Sequence, residues 1–139
     1  MAASADRIVL VVEDDPTLQR AMAKALEENR FHAVTALDYE TALRCLKNIR
    51  PHLVALDLGL PRESGYELCE YIRKQPELLY IPILVTSDRA FPEDMAHAED
   101  AGANAFLKKP FPMKKLLKYV EALLDGPTSS RPSVRRLRV

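Results

Sequence analysis

The sequence predicts an α/β protein with a five-stranded parallel sheet covered by helices on both faces. Five short apolar runs alternate with five stretches whose apolar residues recur at helical spacing. Strands that are separated by single helices need right-handed crossovers, which make neighbouring strands parallel. The chain of 139 residues is long enough for one such domain. Together these observations favour a flavodoxin-like doubly wound fold with five helices and the strand order 2-1-3-4-5.

The first strand and the first helix are the most clearly marked elements. Residues 9–12 are apolar without interruption, as expected for a strand that is buried on both faces. Asp15 is placed to cap the first helix, and Pro16 suits its first position. The stripe of this helix that should face the sheet is Leu18, Met22, Ala25 and Leu26. Residues 31–36 alternate more weakly and suit an edge strand.

The middle of the chain continues the alternation of strand and helix. Asp38 is predicted to cap the second helix, and Pro51 is predicted to stop it. The residues of this helix that should point inward are Ala42, Leu46 and Ile49. Residues 53–57 form the central strand. Residues 64–67 read Ser-Gly-Tyr-Glu, which fits a capping box at the start of the third helix.

The last third of the domain supplies two more strand–helix pairs. Residues 82–86 form the fourth strand and residues 103–107 the fifth. Between them, residues 92–101 form an alanine-rich helix that ends at Gly102, a residue type favoured just beyond helix C-termini. The fifth helix has the clearest amphipathic stripe in the chain, which consists of Met113, Leu116, Leu117, Val120, Leu123 and Leu124.

Composition and charge argue against several functional classes. Residues 1–125 contain all 20 acidic residues and 16 of the 20 basic ones, a net charge of −4, which argues against nucleic acid as the main partner. The longest apolar run is far too short to cross a membrane, and the N-terminus lacks the pattern of a signal peptide. We therefore predict a cytoplasmic protein in which Cys45 and Cys69 are reduced thiols.

Charge also divides the chain into two regions. We predict one domain over residues 1–125. Residues 126–139 contain four arginines among proline and serine, which indicates a basic flexible tail or the beginning of a linker. A short docking peptide for an acidic partner is the other interpretation of this tail.

Polar residues stand where four of the predicted strands end. In chain order they are Glu13, Asp14, Asp15, Asp57, Thr86, Ser87, Lys108 and Lys109. The carboxyl ends of parallel strands lie along one edge of a sheet, where ligands bind. In the predicted order strands 1, 3, 4 and 5 are neighbours, so we expect these side chains to converge on one site.

The residue types at this edge predict a cation-dependent phosphoryl acceptor. Two carboxylates about 4 Å apart repel each other by roughly 4 kcal/mol at an effective dielectric constant near 20, which a divalent cation would relieve. Oxygen ligands suit Mg²⁺. Zinc is not expected, because His32, His52 and His97 fall far apart and no Cys/His cluster exists in the sequence. A carboxylate can act as a nucleophile toward phosphorus, and hydroxyl and ammonium groups can stabilise the phosphoryl oxygens.

Four motifs at these strand ends resemble the receiver domain of two-component response regulators. The resemblance covers roughly residues 6–125. The motifs are Val11-Val12-Glu13-Asp14-Asp15-Pro16, Leu56-Asp57-Leu58-Gly59-Leu60-Pro61 with Gly65 after it, Pro82-Ile83-Leu84-Val85-Thr86, and Phe106-Leu107-Lys108-Lys109-Pro110-Phe111. Because each motif stands at a different strand end, their joint occurrence is highly specific.

The resemblance implies a separate role for each acidic residue of the site. Asp57 would accept the phosphoryl group. Mg²⁺ would be held by Asp57 and by the acidic pair, with Asp14 bound directly and Glu13 through water. Gly59 would contribute its backbone carbonyl to the same ion.

The resemblance also implies a switch. Thr86 would be the switch hydroxyl, Phe106 the aromatic switch residue, and Lys109 the lysine that assists phosphoryl transfer. The peptide bond between Lys109 and Pro110 would be cis. Phosphorylation would let Phe106 turn inward and would change the face formed by helix 4, strand 5 and helix 5.

Function and partners follow from the same resemblance. The chain would receive a phosphoryl group from a histidine kinase or a phosphotransfer protein and would control an unidentified downstream partner or output. Phosphorylation could also drive homodimerisation. The domain would not be an enzyme for other substrates, although it would assist its own phosphorylation and dephosphorylation.

Two other functions stay open on the sequence alone. A receiver-like interaction module would share the fold and work without phosphorylation, although the complete set of site residues argues against it. A phosphohydrolase with an aspartyl nucleophile would need a second acid two residues after Asp57, and this chain has Gly59 there.

Overall fold

The computed structural model describes residues 7–125, so the predicted tail over residues 126–139 lies outside the described residues. The strands are β1 (Ile8–Val12), β2 (His32–Ala36), β3 (Leu53–Asp57), β4 (Ile83–Ser87) and β5 (Ala105–Lys108). The helices are α1 (Pro16–Glu28), α2 (Tyr39–Asn48), α3 (Ser64–Lys74), α4 (Pro92–Ala101) and α5 (Met113–Asp125). Between residues 7 and 125, no helix combines the length and the apolar composition needed to cross a membrane.

The strands form one parallel sheet in the order β2-β1-β3-β4-β5, which confirms the predicted fold. Every residue of β3 and β4 is buried, which explains why these segments are apolar without alternation. β2 lies at the edge and is only partly buried, as its weaker pattern predicts.

The helices divide the apolar core into one layer on each face of the sheet. The layer beneath α2, α3 and α4 takes from the strands Leu10, Val12, Val54, Leu56, Ile83, Val85 and Phe106. The layer beneath α1 and α5 takes from the strands Val9, Val11, Leu53, Ala55, Leu84, Ala105 and Leu107. Successive residues of each strand therefore face opposite layers, as the two-residue period of a strand requires.

Two helices begin at the predicted caps. The Asp15 carboxylate accepts hydrogen bonds from the backbone N–H groups of Thr17 and Leu18, at 3.0 and 3.5 Å. The Asp38 carboxylate accepts one from the backbone N–H of Thr41 at 2.8 Å. These bonds satisfy amide groups that a helix leaves without partners in its first turn.

The capping box predicted at residues 64–67 is wrong. A turn over Pro61–Glu63, in which Arg62 has a φ of 58°, precedes α3, and Ser64 already has helical backbone angles. Its hydroxyl donates to the Pro61 carbonyl at 3.0 Å instead of accepting from an amide further along. The helix therefore begins at Ser64 itself, one residue before the start that a capping serine implies.

Gly65 and Gly102 permit conformations that other residues would disturb. A β-carbon on Gly65 would lie 2.6 Å from the carbonyl oxygen of Asp57 and 2.8 Å from the Cα atom of Leu58. The first turn of α3 therefore packs directly on the end of β3. Gly102 follows α4 with a φ of 112°, the left-handed conformation that its predicted position requires.

The side chain of Arg73 fixes the region where α4 ends. Its guanidinium group donates to the backbone carbonyls of Leu79, Ile81 and Gly102, at 3.1, 2.8 and 3.0 Å. It also donates to the amide oxygen of Asn104 at 2.7 Å. The buried residues of α4, both in its second half, are Ala98 and Ala101. The C-terminal end of α4 is therefore held more firmly than its N-terminal end.

We expect Gly65→Ala to lower the free energy of unfolding by about 1–3 kcal/mol, the usual cost of overpacking. The added methyl group would clash with backbone atoms of Asp57 and Leu58. We expect the cost of this clash to exceed the stabilisation of up to about 1 kcal/mol that comes from replacing a helical glycine with alanine. Urea unfolding followed by circular dichroism measures the change. Glu70→Ala, at an exposed position of the same helix, is the control and should have an effect below about 0.5 kcal/mol. Similar effects of the two substitutions would contradict the close packing at Gly65.

Candidate functional site

Four polar side chains of the predicted site come from the same face of the sheet. They are Glu13, Asp57, Thr86 and Lys109. Each follows by two positions a residue that packs beneath α1 and α5, and these residues are Val11, Ala55, Leu84 and Leu107. Because side chains on one face of a strand recur every two residues, the alternation of the core continues into the polar residues. The strands thus direct all four groups to one side of the sheet edge.

Strand register brings these residues side by side. Asp57 of β3 pairs with Thr86 of β4, and the backbone N–H of Leu58 donates to the Thr86 carbonyl at 2.9 Å. The backbone N–H of Lys109 donates to the Ser87 carbonyl at 2.8 Å, which holds the end of β5 against β4. The predicted convergence of the strand ends is therefore present in the structure.

Three carboxylates form the acidic part of the site. Glu13, Asp14 and Asp57 each offer an oxygen, and these atoms all lie within 4.8 Å of one another. The side chains of Glu13 and Asp57 are buried, whereas Asp14 is exposed, so the cluster opens to solvent on the side of Asp14. Asp15, the third acid of the motif, is instead turned to the cap of α1.

Lys109 places its ammonium group against this cluster. Its nitrogen lies 3.0 Å from Glu13 Oε1 and 3.4 Å from Asp57 Oδ1. Asp57 Oδ1 also accepts a hydrogen bond from the backbone N–H of Gly59 at 2.8 Å. Lys108 is exposed at the end of β5, so the two adjacent lysines occupy different environments. The peptide bond that follows Lys109 is cis, as the family resemblance implied.

Burial and mutual repulsion shift the pKa values of the cluster. Burial, with a further contribution from the charge of Asp57, raises the pKa of Glu13 to about 7, although Lys109 and the Asp15 amide act in the opposite direction. Burial and the neighbouring Asp57 also raise the pKa of Asp14. Burial alone would lower the pKa of Lys109, but its contacts with Glu13 and Asp57 outweigh this and raise it. Burial first, and repulsion by Asp57 second, therefore disfavour the charged forms of Glu13 and Asp14 despite the ammonium group.

Gln19 is a polar residue of the site that sequence reasoning missed. It lies in the second turn of α1 and is buried, and its Nε2 donates to the backbone carbonyl of Glu13 at 3.3 Å. A polar residue between Leu18 and Met22, on the inward side of an amphipathic helix, was the available signal.

Thr86 and Phe106 are both buried, on opposite faces of the sheet. The Thr86 hydroxyl oxygen has no hydrogen-bond partner among the described residues, although the residue is only 1 % exposed. Phe106 is 5 % exposed and its ring packs in the layer beneath α4, next to Met95 and Ala98. The aromatic ring is therefore already inward in this structure.

The predicted exclusion of the histidines agrees with their positions. His32 and His52 are exposed at the amino-terminal ends of the strands. His97 of α4 stacks on Tyr66 of α3, with ring centroids 3.9 Å apart. The group of potential metal ligands in residues 7–125 is entirely carboxylate.

Comparison with known proteins agrees with the fold. The response regulator receiver domain family matches residues 9–121 of this chain. The phosphate regulon transcriptional regulatory protein PhoB of Escherichia coli is 31% identical over 118 residues, which are 85% of this chain and 52% of PhoB. This chain belongs to the response regulator receiver domain family, whose members are signalling modules of two-component systems. It spans about half the length of the curated relatives it matches.

Solved structures of receiver domains are similar over most of the chain. The chemotaxis response regulator CheY4 of Vibrio cholerae matches with a TM-score of 0.81 and 27% identity, over 85% of this chain and 98% of CheY4. The receiver domain of the sensor histidine kinase PA1611 of Pseudomonas aeruginosa matches with a TM-score of 0.79 and 26% identity, over 86% of this chain and 98% of that domain. That structure has a magnesium ion coordinated in its active-site cleft.

The raised pKa of Glu13 predicts that the metal-free protein loses stability as pH rises. The folded protein holds a proton on Glu13 up to a pH of about 7, whereas the unfolded chain releases it near the ordinary value of 4.5. Raising the pH through this window therefore favours unfolding, by at most about 3 kcal/mol. Asp14 acts in the same direction.

We expect Glu13→Gln to flatten the dependence of unfolding free energy on pH between about 4.5 and 7, measured by urea unfolding in EDTA. Glu121→Gln, at an exposed position of α5, is the control and should leave the slope as it is in the native protein. Parallel curves for native protein and Glu13→Gln would mean that burial does not hold the proton on Glu13.

Proposed function

We propose that this domain accepts a phosphoryl group on Asp57 and relays the event to a partner. The observation that carries the proposal is the position of the Asp57 carboxylate, which is clustered with two further acids and lies 3.4 Å from the Lys109 ammonium group. The donor is a histidine kinase or a phosphotransfer protein, as in other two-component systems. The two cysteines are free thiols, which fits our assignment of this exchange to the cytoplasm.

The donor set supports Mg²⁺ as the cation. Three carboxylates with oxygens within 4.8 Å of one another suit a hard cation that prefers oxygen ligands and retains some of its water. We assign Asp14 and Asp57 as direct ligands, Glu13 as a ligand through water, and the Gly59 carbonyl as a further ligand. The magnesium ion in the PA1611 receiver domain supports this assignment by similarity. When bound, Mg²⁺ supplies positive charge to the phosphoryl oxygens.

In the proposed phosphoryl transfer, Asp57 is the acceptor and Lys109 and Thr86 assist. An oxygen of Asp57 attacks the phosphorus, and the bond from phosphorus to the donor breaks with its electron pair leaving on the donor. The Lys109 ammonium group and the Thr86 hydroxyl stabilise the peripheral oxygens of the phosphoryl group. In dephosphorylation a water attacks phosphorus and Asp57 recovers its carboxylate. Gly59 offers no side chain that could exclude this water.

We propose that Thr86 begins the conformational response. Its buried hydroxyl has no hydrogen-bond partner within residues 7–125, and a phosphoryl oxygen would provide one. The loop from β4 to α4 would follow Thr86, and α4 would adjust about its firmly held C-terminal end. Phe106 is already inward, so phosphorylation would stabilise this ring position and change its surroundings, rather than bring the ring in from solvent.

The face formed by α4, β5 and α5 is the proposed output surface. A local change of charge at Asp57 would bias the packing of this face between two states. The consequence would be binding of a downstream partner or formation of a homodimer. We assign the receiver domain to residues 1–125 and a basic tail or linker to residues 126–139, and we propose no enzymatic activity on other substrates.

Phosphorylation of Asp57 is directly testable. We expect acetyl phosphate with Mg²⁺ to add one phosphoryl group, seen as a mass increase of the intact protein, and Asp57→Asn or EDTA to abolish it. Asp100→Asn, at an exposed position of α4, is the matched control and should be labelled as the native protein is. Undiminished labelling of Asp57→Asn would refute the acceptor, and a native protein that never takes up phosphate would favour the interaction module.

We predict that replacing Thr86 stabilises the unphosphorylated protein, whereas most substitutions lower the free energy of unfolding. Thr86→Val removes a buried hydroxyl that makes no hydrogen bond in the described part of the chain, so we expect the unphosphorylated protein to gain about 1 kcal/mol of unfolding free energy. Thr35→Val, at a partly exposed position of β2, is the control.

The same variant tests the relay. On adding beryllofluoride, NMR shifts in the native protein should extend from Asp57 through Phe106 to Leu116 and Tyr119. In Thr86→Val they should stay near Asp57. If the native protein shows only local shifts, or if the variant keeps the distant ones, Thr86 is not the start of the response.

A further inference from the structure

Gln19 contributes a buried amide to the loop that carries the acidic pair. Its side chain is 9 % exposed, and its Nε2 donates to the Glu13 carbonyl at 3.3 Å across six positions of sequence. A buried amide costs free energy unless it is hydrogen-bonded, so an apolar residue would be the simpler choice at this point of α1. The hydrogen bond instead ties the second turn of α1 to the end of β1.

The carbonyl that Gln19 holds belongs to the peptide unit between Glu13 and Asp14. That unit is planar and includes the nitrogen and the Cα atom of Asp14. A hydrogen bond that holds its carbonyl therefore also holds the start of the Asp14 backbone. The other atoms of Glu13 are held separately. Its N–H donates to the Ala36 carbonyl at 3.1 Å, and its Oε2 accepts from the Asp15 N–H at 3.1 Å. Gln19 therefore controls the one part of this loop that orients Asp14.

We propose that Gln19 is a positioning residue for the metal site, acting through the Glu13–Asp14 peptide. The inference rests on the proposed function, in which Asp14 binds Mg²⁺ directly. Asp14 is the exposed member of the cluster and contacts the Asp57 side chain, so surrounding side chains confine it less than they confine Glu13 and Asp57. The backbone is then the main means of keeping its carboxylate directed at the ion. Outer-shell hydrogen bonds of this kind usually change metal affinity by about 10–100-fold.

Gln19→Met tests the proposal, because methionine keeps the length and apolar body of the side chain but cannot donate. We expect its Mg²⁺ dissociation constant, measured by calorimetric titration, to rise by about 10-fold or more over the native value. The amide resonance of Asp14 should also shift in the metal-free protein, since its peptide loses the hydrogen bond to Gln19.

Gln75→Met is the matched control. The Gln75 side chain also donates to a backbone carbonyl, that of Tyr71 at 3.2 Å, but it lies just beyond the C-terminal end of α3, away from the acidic cluster. Its loss should cost similar stability and leave the Mg²⁺ dissociation constant within about twofold. Gln19→Asn is the second variant, because its shorter amide falls short of the Glu13 carbonyl and should weaken Mg²⁺ binding even if Gln19→Met does not fold.

The outcomes separate this inference from the function on which it rests. Suppose that the native protein binds Mg²⁺ and that each folded variant, Gln19→Met or Gln19→Asn, binds it with the same dissociation constant. Gln19 is then a structural residue only. Equal weakening by Gln75→Met would also overturn the proposal, because the effect would then reflect lost stability. If the native protein itself does not bind Mg²⁺ at millimolar concentration, the metal site and this inference both fail.

Discussion

The repulsion among Glu13, Asp14 and Asp57 is the constraint to which the rest of the site responds. Parallel strands end at a common edge, and this edge concentrates negative charge where burial makes it costly. Lys109 lies close enough to offset part of the charge, yet the pKa of Glu13 still rises to about 7. A site in this condition gains from any added positive charge. Relief of this unfavourable crowding would contribute to the affinity for the proposed cation.

Packing keeps this crowded site rigid. The first turn of α3 approaches the Asp57 backbone so closely that a side chain on Gly65 cannot fit. The Asp57 carboxylate is further held by the Gly59 amide and by Lys109. By contrast, the N-terminal half of α4 contributes no buried residue. The proposed acceptor is therefore built on closely packed elements, and the less buried N-terminal half of α4 is the part that we propose responds.

The sequence alone predicted the architecture and the site because each rests on local rules. Apolar runs and helical stripes determine the order of elements, and the two-residue period of strands explains why Glu13, Asp57, Thr86 and Lys109 share one face. Tertiary contacts were not predictable in this way. Ser64 already has helical backbone angles, so α3 begins one residue before the start that a capping serine implies. In the sequence, Gln19 is only a polar residue that interrupts the apolar stripe of α1. The Glu13 carbonyl, to which its side chain donates, becomes its neighbour only when the chain folds.

The three adjacent acids were already distinguished in the sequence. Asp15 lies at the predicted cap of α1, and the family resemblance assigned Glu13 and Asp14 to the acidic pair. The position of Phe106, by contrast, follows from packing against small side chains, among them Ala98 and Ala103. The spacing and type of residues in the sequence do not determine which rotamer Phe106 adopts among these side chains.

The sheet separates the proposed acceptor from Phe106, the ring that we propose responds to phosphorylation. Glu13, Asp57, Thr86 and Lys109 point to the layer of α1 and α5, whereas Phe106 and α4 pack on the opposite side. The two sides are connected through the backbone of the sheet, in which Val85 of β4 pairs with Phe106 of β5. Substitutions on the surface of α4 can therefore accumulate without disturbing the chemistry beneath α1. Under the proposed function, the surface that selects a partner and the site of phosphoryl chemistry can therefore change independently of each other.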